Sequence, residues 1–167
     1  MEEKYIQLSE NNLLKLGIKD KDGKPTGEYL EFDLEDIELP LKYQELIDII
    51  KKNNVDFRNK LIIIEKKQDF KPKGQYISNN EKEKIKATQE YYKKQVEAYN
   101  MFLGENGVQK LLNGRKIGWN TLQEVDEIIE KQIAKYFDNT MANITKKVKE
   151  KYGNFNTTKE DTLEVVE

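Results

Sequence analysis

The sequence predicts a mainly α fold with a minor β part: an N-terminal β-hairpin, then a helical body of four to five helices, the last of them long. Three observations carry this. Residues 12–34 alternate apolar and polar side chains around a turn-rich centre, the period of a strand with one buried face. Beyond residue 41 the apolar spacing changes to three and four, the period of amphipathic helices. Charged residues make up 36% of the chain against 37% hydrophobic ones. That balance is too polar for a body buried on all sides, and it suits long helices that bury one stripe, together with an extended tail.

In the hairpin, Leu14, Leu16 and Ile18 form one alternating run and Leu30, Phe32 and Leu34 the other. Lys19 to Gly27, KDKDGKPTG, separates them, and Asp22-Gly23 supplies the turn. The helical body is expected over about residues 41–153. Tyr43, Leu46, Ile47 and Ile50 share a helical face just after Pro40, which suits a helix start. In VDFRNKLIIIEKKQ, Phe57, Leu61 and Ile64 fit a helix, while the β-branched run fits a strand equally well. Helix is assigned because the flanks are not turn signals; the strand alternative stays open.

Residues 70–80, with Pro72 and Gly74, read as a linker. A long helix follows, capped by Ser78 or Asn79, with Ile85, Thr88, Tyr92, Val96, Tyr99 and Phe102 or Leu103 as its stripe. Gly104 ends it, Asn106-Gly107 turns the chain, and VQKLLN makes a short helix that ends at Gly114. Thr121 to Glu124 matches a capping box. Leu122, Val125, Ile129, Ile133, Phe137, Met141, Ile144 and Val148 then recur at steps of three or four. This predicts a last helix of roughly 30 residues, about 45 Å long. Residues 1–153 read as a single domain and 154–167 as a flexible acidic tail.

The chain has no histidine and no cysteine. Those absences remove the commonest general base and metal ligand, and all thiolate and disulfide chemistry. The acids at Glu31, Asp33, Glu35 and Asp36 read as a solvated face rather than a catalytic pair. Gly17 to Thr26 superficially resembles a phosphate-binding loop, but the spacing is too long and Pro25 has no N–H to donate. As a calcium loop, the same stretch puts Lys24 and Pro25 where an acidic ligand and glycine belong. Glu105 inside Gly104-Glu-Asn-Gly107 would repel an anion. No catalytic, cofactor-binding or metal-binding residue is assigned. Net charge is −2 and the only arginines are Arg58 and Arg115, which argues against a nucleic-acid partner. The apolar run Leu61 to Ile64 is far short of the roughly 18 residues of a membrane span, and the first ten residues lack the apolar core of a signal peptide. No membrane association is expected.

One stretch is more specific. A hairpin carrying EYLEFDLEDIELPLKYQELI, then helices, then YNMFLGENGVQKLLNGRKIGWNTLQEVDEII resembles the tail assembly chaperones of siphophages and related prophages of low-GC Gram-positive bacteria. Phe102, Leu103, Gly104, Gly107, Leu111, Leu112 and Gly114 carry the likeness, with a fainter one at Phe32, Asp33 and Leu41 to Ile47. It covers residues 28–135, and its motif consists of structural glycines and apolar residues.

The resemblance implies a non-enzymatic protein in the bacterial host cytoplasm. Such chaperones coat the helical tape measure protein while the tail tube polymerises around it, and they are absent from the finished particle. Many also occur in a longer, frameshifted form that engages tail tube protein. A homo-oligomer is expected, because many weak contacts to a long client add by avidity. Phe137, Met141, Ile144 and Val148 form the candidate client-binding surface; the alternative is that they pack inside the monomer. The competing function is a structural head–tail or tail adaptor protein retained in the virion.

Overall fold

The computed structural model describes residues 1–7 and 13–153. Strand β1 (Leu13–Lys19) pairs antiparallel with β2 (Pro25–Asp33), with Leu14 opposite Phe32 and Leu16 opposite Leu30. Period two therefore puts these side chains on one face, and Ile18, Leu30 and Phe32 are buried. The Asp20 carboxylate accepts the N–H groups of Asp22 and Lys24, both at 2.9 Å, and closes the turn. The Thr26 hydroxyl donates to the Ile18 carbonyl at 2.9 Å where the register slips between Gly17 and Lys19.

Helix α1 (Leu39–Glu65) has Pro40 in its first turn and continues without a break through the ambiguous stretch, so the two expected segments are one helix. Helix α2 (Asn79–Leu103) lies antiparallel beside it and buries Ile64. A partner helix on one side gives the β-branched run a stripe to bury, which decides for helix over strand. Ser78 is the N-cap of α2 and accepts the Glu81 N–H at 3.2 Å. The Asn80 amide then donates to the carbonyls of Ile64 at 3.2 Å and Lys67 at 2.9 Å, satisfying the open end of α1.

The buried face of α2 follows the expected stripe only at its C-terminal end, through Val96, Tyr99, Phe102 and Leu103. Nearer the start the face is rotated. Ala87, Tyr91 and Gln95 are buried, and Ile85 is 48% exposed. There α2 packs on α1 and on the Trp119 ring, 6.1 Å from that of Tyr91, and the contact with α1 includes a polar pair, with the Asn53 amide donating to Gln95 Oε1 at 2.9 Å.

A six-residue helix α3 (Gly107–Leu112) and then α4 (Trp119–Ile128) complete the body. The last helical run starts earlier than expected. Gly118 is its N-cap, and Thr121 is one turn in, its hydroxyl accepting the Gly118 N–H at 2.8 Å. The long C-terminal helical run reaches Tyr152 but is not regular. A π-helical turn (Ile129–Ile133), a 3₁₀ turn (Ala134–Tyr136) and a bend at residues 137–139 separate α4 from α5 (Thr140–Tyr152). The wide π turn keeps both Ile129 and Ile133 facing inward, each almost fully buried.

The main core gathers the inner face of the hairpin, the first half of α1, the second half of α2, α3 and the α4–π segment. At its centre the ring of Phe102 lies 5.7 Å from Phe32, 5.7 Å from Tyr43 and 6.0 Å from Phe137, centroid to centroid. The outer half of the α1–α2 hairpin stands away from this core, held by its own stripe and by surface pairs such as Lys60–Glu90 at 2.6 Å and Lys84–Glu65 at 3.2 Å. The tail assigned to residues 154–167 lies outside the described residues.

Candidate functional site

The acidic residues near the hairpin serve local structure. Asp33 accepts the Glu35 N–H at 3.0 Å and Asp36 accepts the Glu38 N–H at 2.9 Å. The Lys42 ammonium, 2.6 Å from Asp36, holds that carboxyl below the usual range, assisted by the Glu38 N–H. Among the described residues no group of His, Cys, Asp or Glu is arranged to hold a metal ion.

The glycine-rich connection between α2 and α4 is built from packing and backbone geometry. Phe102, Leu103 and Leu112 are in the core and Leu111 is half-buried. Gly104 ends α2 at φ 101°, ψ 174°, a conformation open essentially only to glycine. Gly107 serves a close approach instead: a Cβ there would stand 2.5 Å from the Leu103 Cβ. Sequence reasoning missed Asn100, which organises the turn. Its side-chain oxygen accepts the Val108 N–H at 2.8 Å, and its amide donates to Gln109 Oε1 at 3.0 Å. Asn106, read from the sequence as turning the chain with Gly107, and Asn113, just before Gly114, are both in the left-handed region with φ 56° and 47°, which asparagine tolerates best among non-glycine residues.

A second organising contact joins α2 to α4. The Tyr99 hydroxyl donates to Asp126 at 3.2 Å. Burial first, and the Asp126 charge second, push the Tyr99 hydroxyl far above the ordinary tyrosine range.

The four residues assigned to client binding divide. Phe137 is 3% exposed and packs on Tyr43, 5.9 Å away, and on Phe102. It is a core residue, and its place in the candidate surface is corrected: the bend that follows it turns the chain out of the core. The other three are on α5, which has no buried residue. Met141 is 57% exposed, Ile144 and Val148 are half-buried, and Tyr152 continues the line at 73% exposed. These four recur at steps of three and four, so they share one face of the helix. The rest of α5 is basic, with Lys146, Lys147, Lys149 and Lys151 against Glu150.

On the outside of α1, Leu41, Val55 and Ile62 are exposed; they fall on a seven-residue spacing, close to two helical turns per step, whose remaining position is the exposed Asp48. Among the described residues no helix is long and apolar enough to cross a membrane. No family model, curated protein or solved structure matches the chain.

Proposed function

We propose that this protein is a phage tail assembly chaperone that binds and solubilises the helical tape measure protein during tail tube assembly. One observation carries the reading: α5 presents Met141, Ile144, Val148 and Tyr152 along one face while burying none of its own residues. An isolated helix of 13 residues is marginal in water, because nucleation is costly and only packing of an apolar face repays it. A helical client supplies that packing in the helix-in-groove mode. The exposed apolar side chains of Leu41, Val55 and Ile62 on α1 suit self-association, which lets weak contacts along a long client add up. The glycine-and-leucine motif at residues 102–114 supports the same reading through the family it resembles.

The test is co-expression with the tape measure protein of the same tail operon, followed by co-purification and light scattering. The expected product is a soluble complex with many copies of this chain per client. Replacing Met141, Ile144 and Val148 together by serine should abolish capture and leave the melting temperature of the free chain unchanged. A client that stays insoluble beside a monomeric chain would overturn the proposal. Finding the chain in purified virions would favour the adaptor retained in the particle.

A further inference from the structure

The chain contains two Asn-Gly pairs, Asn106-Gly107 and Asn113-Gly114, one at each end of α3. Both asparagines are exposed and left-handed, and neither side chain has a hydrogen-bond partner among the described residues. By sequence and side-chain surroundings the two are alike. The peptide that follows each asparagine is what differs.

The peptide between Asn106 and Gly107 is tied at both ends. Its N–H donates to the Gly104 carbonyl at 3.1 Å, and its C=O accepts the Lys110 N–H at 2.9 Å. Gly107 is also buried, with its Cβ position 2.5 Å from Leu103 Cβ. The peptide between Asn113 and Gly114 is tied at neither end among the described residues. The bonds beside it belong to its neighbours: the Asn113 N–H donates to the Gln109 carbonyl and the Arg115 N–H to the Leu112 carbonyl, both at 3.0 Å. Gly114 is exposed, and nothing stands within 4 Å of its Cβ position. An asparagine side chain and the next backbone nitrogen can close into a five-membered ring. Closure requires the peptide plane to swing until that nitrogen faces Cγ, and a following glycine obstructs the approach least. A bonded and packed peptide resists the swing, whereas an untied one in open space does not.

We propose that Asn113-Gly114 is a site of spontaneous modification in the folded protein, where the chain cyclises and Asn113 is converted to an acid, while the fold protects Asn106-Gly107. Base removes the proton of the Gly114 N–H, and the nitrogen attacks Asn113 Cγ. The bond from Cγ to the side-chain nitrogen breaks, and that nitrogen leaves as ammonia after taking a proton from water. Water then opens the cyclic imide at either carbonyl, so the chain continues through the main-chain or through the side-chain carboxyl. No oxidant, reductant or cofactor enters. The site is part of the wall of a groove of about 880 Å³ beside β1, next to Leu112 and Arg115. Either product places a new carboxylate there, where Arg115 is paired with Glu124 at 3.1 Å. The β-linked product also lengthens the main chain at the cap of α3. This inference does not depend on the chaperone function, and its test involves no client.

The experiment is incubation of the full-length protein in mildly alkaline buffer, with and without urea, followed by tryptic peptide mapping and mass spectrometry. Cleavage after Lys110 and Arg115 puts the two sites on separate peptides. In the folded protein the Asn113 peptide should gain the mass of an acid over an amide, faster as pH rises, as a mixture of normal and β-linked products. The Asn106 peptide should react about tenfold more slowly or less, because two hydrogen bonds oppose the swing. In urea the two rates should converge. Equal rates in the folded protein overturn the proposal, as does conversion of Asn106 ahead of Asn113. So does a folded chain in which neither site reacts while both react in urea, because the Asn113 peptide is then held as firmly as the other. A product at Asn113 with the normal linkage alone overturns the cyclisation.

Discussion

Replacing Gly107 by alanine tests whether the connection between α2 and α3 depends on a close approach. A Cβ at this position stands 2.5 Å from Leu103 Cβ, whereas carbon pairs rest at about 3.5–4.0 Å. The start of α3 must therefore retreat by about 1 Å. Leu103 Cβ cannot give way by rotating, because it is fixed to the last turn of α2, and Leu103 is buried. Retreat also pulls on Val108, which is 0% exposed, and on its 2.8 Å hydrogen bond to Asn100. Overpacking of this kind costs about 1–3 kcal/mol and a weakened hydrogen bond about 0.5–1.5 kcal/mol. A loss of about 2–4 kcal/mol is expected from the two together. The assay is urea unfolding followed by circular dichroism, with an unchanged slope and a midpoint lower by about 1–2 M. Glu105→Ala, in the same turn and exposed, is the control and should stay within about 0.5 kcal/mol. Gly104→Ala should cost about 1–3 kcal/mol by backbone strain alone, since nothing stands within 4 Å of its Cβ position. If the midpoint of Gly107→Ala matches the Glu105→Ala control, the close approach is not a constraint and the reasoning fails.

Three further outcomes follow from the same contacts. Gln95→Ala leaves the buried Asn53 amide without its acceptor and should cost about 1–3 kcal/mol, whereas Asn53→Leu/Gln95→Leu should recover most of that; equal losses in both would contradict the polar pairing. Tyr99 is held neutral by burial and by Asp126, so its fold-derived stability is present below the unfolded value of 10.0 and falls as pH rises past it. Spectrophotometric titration should show Tyr99 ionising only as the helices unfold, and Tyr99→Phe should remove that delayed component; ionisation in the ordinary range with the helices intact would refute this. The Asp69 carboxyl is held below 3.8 by the Ser78 hydroxyl first and by the Asn80 and Phe70 N–H groups. That contribution is present above the unfolded value of about 3.9 and is lost as pH falls through the lower folded value. Hydrogen exchange in the α1–α2 connection should rise over that acid range in wild type and show no such step in Asp69→Asn.

Much of the architecture was legible because it follows from local rules. The hairpin was readable from period-two alternation around Asp22-Gly23, and the start of α2 from a cap at Ser78 or Asn79, of which the structure uses Ser78. The ends of α2 and α3 were readable from Gly104 and from Asn113-Gly114. Asn100 was not readable, because an asparagine inside a helix carries no mark of the turn eight residues later that it serves. The start of the last helix was placed too late, since Thr121 satisfies a capping pattern from inside the first turn as well as from the cap. The groove beside β1 was not readable either. Its walls come from segments nearly a hundred residues apart, and the motif leucines that line it look the same in sequence whether they face a core or a cavity.

The sequence by itself determined the hairpin, most of the helical segments and the turns between them, with the apolar positions that each segment offers for burial. Those properties are set by backbone geometry and by the spacing of residues within one segment. Only the tertiary structure decided which apolar faces are covered. Phe137 and Met141 occupy equivalent places in one periodic series, yet the first is buried and the second is 57% exposed. The difference is that Tyr43 and Phe102, distant in the chain, stand beside Phe137, and the bend at residues 137–139 carries Met141 away from them. Periodicity describes what a segment can bury, but burial needs a second surface, and the position of that surface is a property of the whole fold.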